Sequence, residues 1–346
     1  MAVTEESVKE ALKAVKYPGF SRDIVSFGLV RSIEINNGSV AVQLTLQTND
    51  AAVPRAIKAD AESALQKLPG VSQAKVLIDI QSPPAGAGAA ANVATRIEGV
   101  KHVIAVASGK GGVGKSTVAA NLAVALDRTH ARVGLCDCDI YGPSISLMFG
   151  TRERPTATEE NKIVPIEQYN LKLMSMGFLL DDTSPAILRG PMVTRYTQQF
   201  LRQVEWGELD YLILDLPPGT GDIQLTIVQT VALAGAIIVT TPQEVALIDA
   251  RKAAVMFEKV NVPVLGVIEN MSYFISGDGK RHEIFGSGGG EREAKRLRVP
   301  LLGQIPIDIA TRESGDRGMP ITAEARPSAV AAEFMRIAQD LRKVLD

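Results

Sequence analysis

The sequence predicts a doubly wound, mainly parallel α/β sheet preceded by a small α/β domain. Three observations carry this reading. From Ile97 onward, apolar strand-like runs alternate with helical segments. A glycine-rich stretch, Ser108-Gly-Lys-Gly-Gly-Val-Gly-Lys-Ser-Thr117, lies between one such run and the helix that follows it. Ser82 to Asn92 is built of two prolines and otherwise small residues, the composition of a linker. The expected boundaries are 1–81 for the small domain, 82–96 for the linker and 97–346 for the large domain.

Composition narrows the function classes. With 346 residues, 46% of them hydrophobic, the chain can bury a sizeable core. A net charge of −2 with both signs interspersed gives no basic field for nucleic acid or an anionic membrane. The start, Met-Ala-Val-Thr-Glu-Glu-Ser, is acidic and lacks an apolar core, which argues against a secretory leader. No stretch long enough to span a bilayer is free of polar residues. The two cysteines, Cys136 and Cys138, are too few for a disulfide framework and too close to bridge easily. A protein of a reducing cytoplasm is expected.

In chain order, Val8, Ala11, Leu12 and Val15 recur at helical spacing. Ser39 to Gln47 alternates strictly, with Val40, Val42, Leu44 and Leu46 on one face, as a half-buried strand does. A helix follows, with Pro54 at its start, Ile57, Ala61, Ala64, Leu65 and Leu68 facing inward, and Pro69-Gly70 ending it. Lys75 to Ile80 reads as another strand.

Val103 to Ser108 has the length and branching of a buried parallel strand, and Val118 to Leu126 is rich in helix formers. Between them Gly109, Gly114, Lys115 and Ser116 satisfy G-x-x-x-x-G-K-[ST], the pattern of a phosphate-loop NTPase. Gly109, Lys110, Gly111, Gly112, Val113, Gly114, Lys115, Ser116 and Thr117 are the expected nucleotide-binding segment. Glycines let backbone N–H groups curl around phosphate oxygens, and the helix N-terminus adds donors and partial positive charge. Lys115 can reach the β- and γ-phosphates of ATP, and the Ser116 hydroxyl can ligate Mg²⁺.

Further strands are read at 132–137, 211–215, 236–241, 264–268 and 300–305, and helices near 191–204, 223–232, 244–260 and 290–298. Asp215 ends a strand, as expected of a carboxylate that holds Mg²⁺ through its water shell. Leu216-Pro-Pro-Gly-Thr-Gly-Asp222 after it can move when the γ-phosphate leaves. Asp137 and Asp139 stand two residues apart at another strand end; Asp139 is assigned to positioning the water and Asp137 to the metal's outer shell, with helix N-capping the competing role. Ala329 to Leu345 reads as a packing helix, since its polar face mixes both charges.

With its extra Lys110, the loop resembles the deviant phosphate loop of the ParA/MinD/nitrogenase-iron-protein superfamily. Asp137-Cys-Asp-Ile-Tyr-Gly-Pro-Ser144, Arg189-Gly-Pro-Met192, Asp215 to Asp222, Glu269-Asn-Met-Ser272 and Ile305-Pro-Ile-Asp308 resemble the Mrp/ApbC group of iron–sulfur cluster carriers. The N-terminal unit is similar to that group's companion iron–sulfur-assembly domain, through Tyr17-Pro18-Gly19, the run from Val25 to Val30 and Leu68-Pro-Gly-Val71. The cysteine that such domains often carry is missing from Thr48 to Val53.

The resemblance implies a slowly hydrolysing ATPase that acts as a homodimer, with Lys110 reaching the partner's phosphates as an arginine finger does. It places Asn270, Pro306 and Asp308 at the adenine base and Arg189–Gln199 near the dimer interface. Scaffold or client apoproteins would be the partners. Carriers of this group place C-x-x-C shortly after the Asn-Met-Ser turn, where this chain has Ser276 and Gly279. Cys136 and Cys138 share a strand face and would give four thiolates in a dimer, but a cluster there would compete with Mg-ATP. His282, beside Glu283, is a further candidate ligand. The ligands of an iron–sulfur cluster are thus left unidentified. A nucleotide-switched scaffold without a cluster, or a ParA/MinD-like positioning ATPase, are the alternatives.

Overall fold

The structure, a computed structural model, describes residues 3–15, 23–25, 29–36, 38–46, 52–80, 94–160, 162–179, 190–326 and 328–346. Tyr17-Pro18-Gly19, residues 26–28 of the Val25–Val30 run, the stretch 82–92 and Arg189 therefore lie outside the described residues. The chain divides into two compact units, Met1–Ala91 and Asn92–Asp346.

In the first unit, α1 (Glu5–Leu12) is opened by a capping box between Thr4 and Ser7. Strands β1 (Val30–Asn36), β2 (Ser39–Leu46) and β3 (Gln73–Ile80) form a sheet in that order, with α2 (Ala52–Gln66) crossing over between the parallel pair β2 and β3. Val40, Val42, Leu44 and Leu46 are all buried, together with Val8, Leu12, Ile57, Ala61, Leu65 and Val76. The strand β1 goes unread in the sequence because its pairing with β2 shifts between Val30 and Ser32, and this irregularity breaks the two-residue alternation. The helix α2 stops before Leu68, which still packs against the same core.

The second unit begins inside the expected linker. Thr95 bridges to Val231 and its N–H donates to the Thr230 carbonyl at 3.1 Å, so this residue belongs to the larger body. The strands are β4 (Val100–Ala107), β5 (Val133–Asp137), β6 (Thr156–Ala157), β7 (Ile163–Val164), β8 (Ile166–Gln168), β9 (Leu171–Met174), β10 (Leu209–Asp215), β11 (Gly235–Thr240), β12 (Val264–Glu269), β13 (Phe274–Ile275), β14 (Arg281–His282) and β15 (Leu301–Gln304). The helices are α3 (Lys115–Asp127), α4 (Ile145–Met148), α5 (Gly190–Arg202), α6 (Asp222–Thr230), α7 (Glu244–Lys259), α8 (Gly289–Leu297), α9 (Ile309–Asp316) and α10 (Ala329–Leu345).

The main sheet runs β15-β12-β11-β4-β10-β5-β9-β8, parallel except for the edge strand β8. Strand order reverses beside β4, where ligands bind in sheets of this kind. Both faces are apolar. Ile104, Val106, Leu135 and Ile213 join a layer with α3 and α10, while Val103, Ala105, Leu212 and Leu214 join one with Phe200, Ile227 and Phe257. Double-sided burial explains why these strands read as continuous apolar runs. The short strands β8 and β9 escape the sequence reading because they offer too few residues for a period to show.

The helix α10 is capped by Ser328, whose Oγ accepts from the Ala331 N–H at 2.9 Å, and it buries Val330, Phe334, Ile337 and Leu341. Its apolar face is spent on the protein's own core, except for Val344, which is exposed. Phe334→Ala is expected to lower the unfolding free energy of this unit by about 3–5 kcal/mol. Urea denaturation followed by circular dichroism would show it; a change below ~1 kcal/mol would mean that α10 is not integral to the core.

Candidate functional site

Strand register assembles the site. Asp215 pairs with Val106 on one side and with Asp137 on the other, so β4, β10 and β5 end at one level. Glu269 ends β12 level with Thr240 of β11 and Gln304 of β15. The glycine-rich loop leaves β4 at that level.

Within the loop, Gly112 and Gly114 take φ values of 82° and 78°, which side chains with a Cβ rarely adopt. A Cβ on Gly109 would stand 2.0 Å from the Asp249 backbone carbon, so the loop lies directly on α7. The Ser108 hydroxyl donates to the Lys110 carbonyl at 2.9 Å, and the Gly219 N–H donates to the Ser108 carbonyl at 3.0 Å. The second contact joins the phosphate-loop segment to the Pro-Pro-Gly-Thr-Gly loop after β10. Lys110 is half-buried and forms no ion pair among the described residues. Thr117 follows Ser116 in the first turn of α3.

Lys115 is buried and ion-paired with Asp215, which is wholly buried. One oxygen of Asp215, Oδ2, has no hydrogen-bond partner among the described residues. Burial pushes the Asp215 carboxyl up, against the pull of Lys115 and Ser116. A buried carboxylate oxygen without a donor, beside a serine hydroxyl at a helix N-terminus, fits a hydrated divalent cation.

Asp137 is better satisfied. It accepts from the N–H groups of Asp139 (3.0 Å), Ser144 (3.0 Å) and Ile145 (3.2 Å) and from the Ser175 hydroxyl (3.0 Å). The N-cap of the short α4 is Ser144, without a side-chain capping bond, so Asp137 is not an N-cap residue, although its Oδ2 satisfies the Ser144 and Ile145 N–H groups from outside the helix. Burial, reinforced by Asp215, nevertheless pushes its carboxyl up to about 7. Asp139 is half-buried and accepts from the Gly142 N–H at 3.3 Å within its own turn.

Beside Gly114 opens a cavity of about 450 Å³ lined by Thr117, Asn121, Asn270, Met271, Phe285, Pro306, Ile307 and Asp308. Asn270 donates from Nδ2 to the Val113 carbonyl at 2.8 Å, tying the cavity to the glycine loop. Asp308 caps α9, its Oδ2 accepting from the Thr311 N–H at 2.7 Å and hydroxyl at 2.6 Å, so this oxygen is already engaged. Phe285 and Asn121 go unread in the sequence, while Met271 and Ile307 stand in quoted motifs without being named as site residues. Phe285 and Asn121 are isolated in separate segments with no local mark, whereas Met271 takes φ 52° beside Asn270. Ser175 and Gln224 are also missed; the latter donates from Nε2 to the Pro217 carbonyl and holds the loop after β10.

The thiols do not fit a cluster. Cys136 and Cys138 lie 3.8 Å apart, Sγ to Sγ, wholly buried among Ala105, Met174 and Leu214. Their strand face turns into the apolar layer. Burial and the neighbouring Cys136 thiol push the Cys138 thiol well above its usual range, with Cys136 first in effect. Ser276 sits in the exposed β13–β14 hairpin, its Oγ 2.9 Å from His282 Nε2, while Glu283 pairs loosely with Arg281 at 3.9 Å. Of the segment expected at a dimer interface, Thr197 is buried within the chain's own fold. No helix among the described residues is long and apolar enough to cross a membrane.

The parallel sheet, its glycine loop and the paired carboxylates define a phosphate-loop NTPase. More narrowly, the chain belongs to the NUBPL iron-transfer P-loop NTPase family, whose profile matches residues 99–342. An iron–sulfur cluster assembly protein profile matches residues 5–99. The chain is 44% identical over 347 residues to an "Iron-sulfur cluster carrier protein" of Synechocystis, covering 98% of this chain and 97% of the relative. It is 46% identical over 335 residues to a protein of the same name from Deinococcus radiodurans, covering 96% and 92%. Among solved structures it resembles a nucleotide-binding protein of Archaeoglobus fulgidus in complex with ADP, at TM-score 0.59 and 38% identity, over 67% of this chain and 91% of that one. The cell division ATPase MinD of Pyrococcus furiosus, at TM-score 0.56 and 24% identity over 70% and 99%, shares the fold.

A pH dependence follows from Asp137. A carboxyl that holds its proton more tightly when folded adds stability at low pH, and this contribution is lost as pH rises from 3.8 through about 7. Asp137→Asn is expected to shrink this decline in the thermal stability of the nucleotide-free protein, leaving the part carried by Asp215, whose carboxyl is also pushed up. Calorimetry across that range tests it: an undiminished decline in the variant would assign the effect to another group.

Proposed function

We propose that the chain binds ATP with Mg²⁺, hydrolyses it slowly as a homodimer, and carries or assembles iron–sulfur clusters. The observation that supports this most is the unpartnered Asp215 oxygen beside Lys115 and Ser116, at the mouth of the glycine loop. Gly109 to Thr117 would cradle the phosphates, with Asn270, Pro306 and Asp308 beside the base. Ser116 and Asp215 would hold Mg²⁺, with Asp137 in its outer shell. The ion would neutralise charge on the β- and γ-phosphates.

Lys115 is the residue that must change partner. Without nucleotide it neutralises Asp215; phosphate oxygens compete for the same ammonium, and Asp215 is then free for the metal. Asp139 would orient the water that attacks the γ-phosphorus. Lys110, without an ion pair among the described residues, is available to the phosphates of a second subunit. One catalytic cation supplied from outside the subunit fits slow turnover by a lone chain.

The cargo is supported by the relatives, each named an iron–sulfur cluster carrier protein, and by the companion domain. The partners would be scaffold or client apoproteins, and the compartment a reducing cytoplasm. A second reading, a nucleotide-switched scaffold without its own cluster, is favoured by the burial of both cysteines. The positioning-ATPase reading is weakened by α10, whose apolar face is occupied.

Lys115→Ala is expected to abolish ATP binding in equilibrium titration, and retained affinity would refute the phosphate placement. Lys110→Ala should leave binding by the monomer intact and reduce hydrolysis and ATP-dependent dimerisation; if both persist undiminished, the cross-subunit role is wrong. Anaerobic reconstitution with iron and sulfide, read by absorption and iron counting, decides the cargo. A cluster that survives Cys136→Ala/Cys138→Ala would support ligands elsewhere, whereas none in the wild type would favour the scaffold.

A further inference from the structure

A second glycine-rich stretch, Gly286-Ser-Gly-Gly-Gly290, opens α8. Its likeness to a phosphate loop ends there, because the Gly290 N–H already donates to the carboxylate of Glu269. Glu269 ends β12 and is wholly buried, yet it pairs with no lysine or arginine among the described residues. Neutral donors hold it: the Gly290 N–H, the Ser272 hydroxyl at 2.6 Å and the Gln304 amide at 2.8 Å. A Cβ on Gly290 would stand 2.7 Å from that of Glu269, so this close approach requires glycine.

Each donor belongs to a different segment that lines the cavity beside Gly114. Ser272 closes the turn that carries Asn270 and Met271. Gln304 leads into Pro306 and Ile307, and Gly290 anchors the loop that begins at Phe285. The backbone repeats the tie, with the Ile305 N–H donating to the Glu269 carbonyl and the Ser272 N–H to the Ile305 carbonyl, both at 2.9 Å. An apolar residue would fill the same space without burying a charge. What the carboxylate adds is direction: two acceptor oxygens that fix three donors at once.

We propose that Glu269 is a positioning residue for base recognition, setting the three segments around the nucleotide base without touching it. This rests on the reading of the cavity as the base site.

Glu269→Gln keeps the shape but presents an N–H₂ group where only donors arrive. By isothermal titration its affinity for ADP is expected to fall about tenfold, the cost of one charge-assisted hydrogen bond, while that for pyrophosphate, which has no base, changes less than about twofold. Ser272→Ala, a smaller change that keeps the carboxylate, should weaken ADP binding about threefold with the same selectivity. Equal losses for ADP and pyrophosphate would reduce Glu269 to a structural role, and unchanged ADP binding in both variants would remove any role; either overturns the proposal. Wild-type protein that binds pyrophosphate as tightly as ADP would instead overturn the base-site reading, and the proposal with it.

Discussion

One lysine and two carboxylates are buried together where the central strands end, and much of the larger unit is arranged around that imbalance. Lys115 compensates Asp215, while Asp137 relies on four hydrogen-bond donors and on a carboxyl pushed up to about 7. Burying like charges side by side is costly unless a proton or a cation intervenes. The sheet register that sets Asp215 level with Asp137 makes the pairing unavoidable. A site of this kind is primed for a cation and for a phosphate that competes for its lysine.

The rest of the fold holds that arrangement steady. Apolar layers on both faces of the sheet fix the strand ends, and α3 is buried along most of its length. Loops around the site are joined by local bonds: Gly219 to Ser108, Asn270 to Val113, Gln224 to Pro217. Such local ties can break and reform without disturbing the core. The cavity beside Gly114 shares the Asn270 contact with the glycine loop, so the two are mechanically joined.

Cargo chemistry stands apart from this machinery. The two thiols belong to the apolar layer beneath the switch, and the hairpin where carriers of this type place their cysteines bears Ser276 and Gly279.

Much was legible from sequence because it is local. Strands buried on both faces, a glycine loop at a helix start and the strict alternation of Ser39 to Leu46 are written in neighbouring residues. The strand β1 was hidden by a register shift, and β8 and β9 by their brevity. The sequence by itself determined the phosphate loop, the carboxylates at the strand ends and the two-part organisation of the chain. Only the tertiary structure decided that Lys115 meets Asp215, that Cys136 and Cys138 face inward, and that Glu269 gathers three segments around one cavity. The reason is separation along the chain: these contacts join residues brought together by strand order and register, which periodicity does not encode.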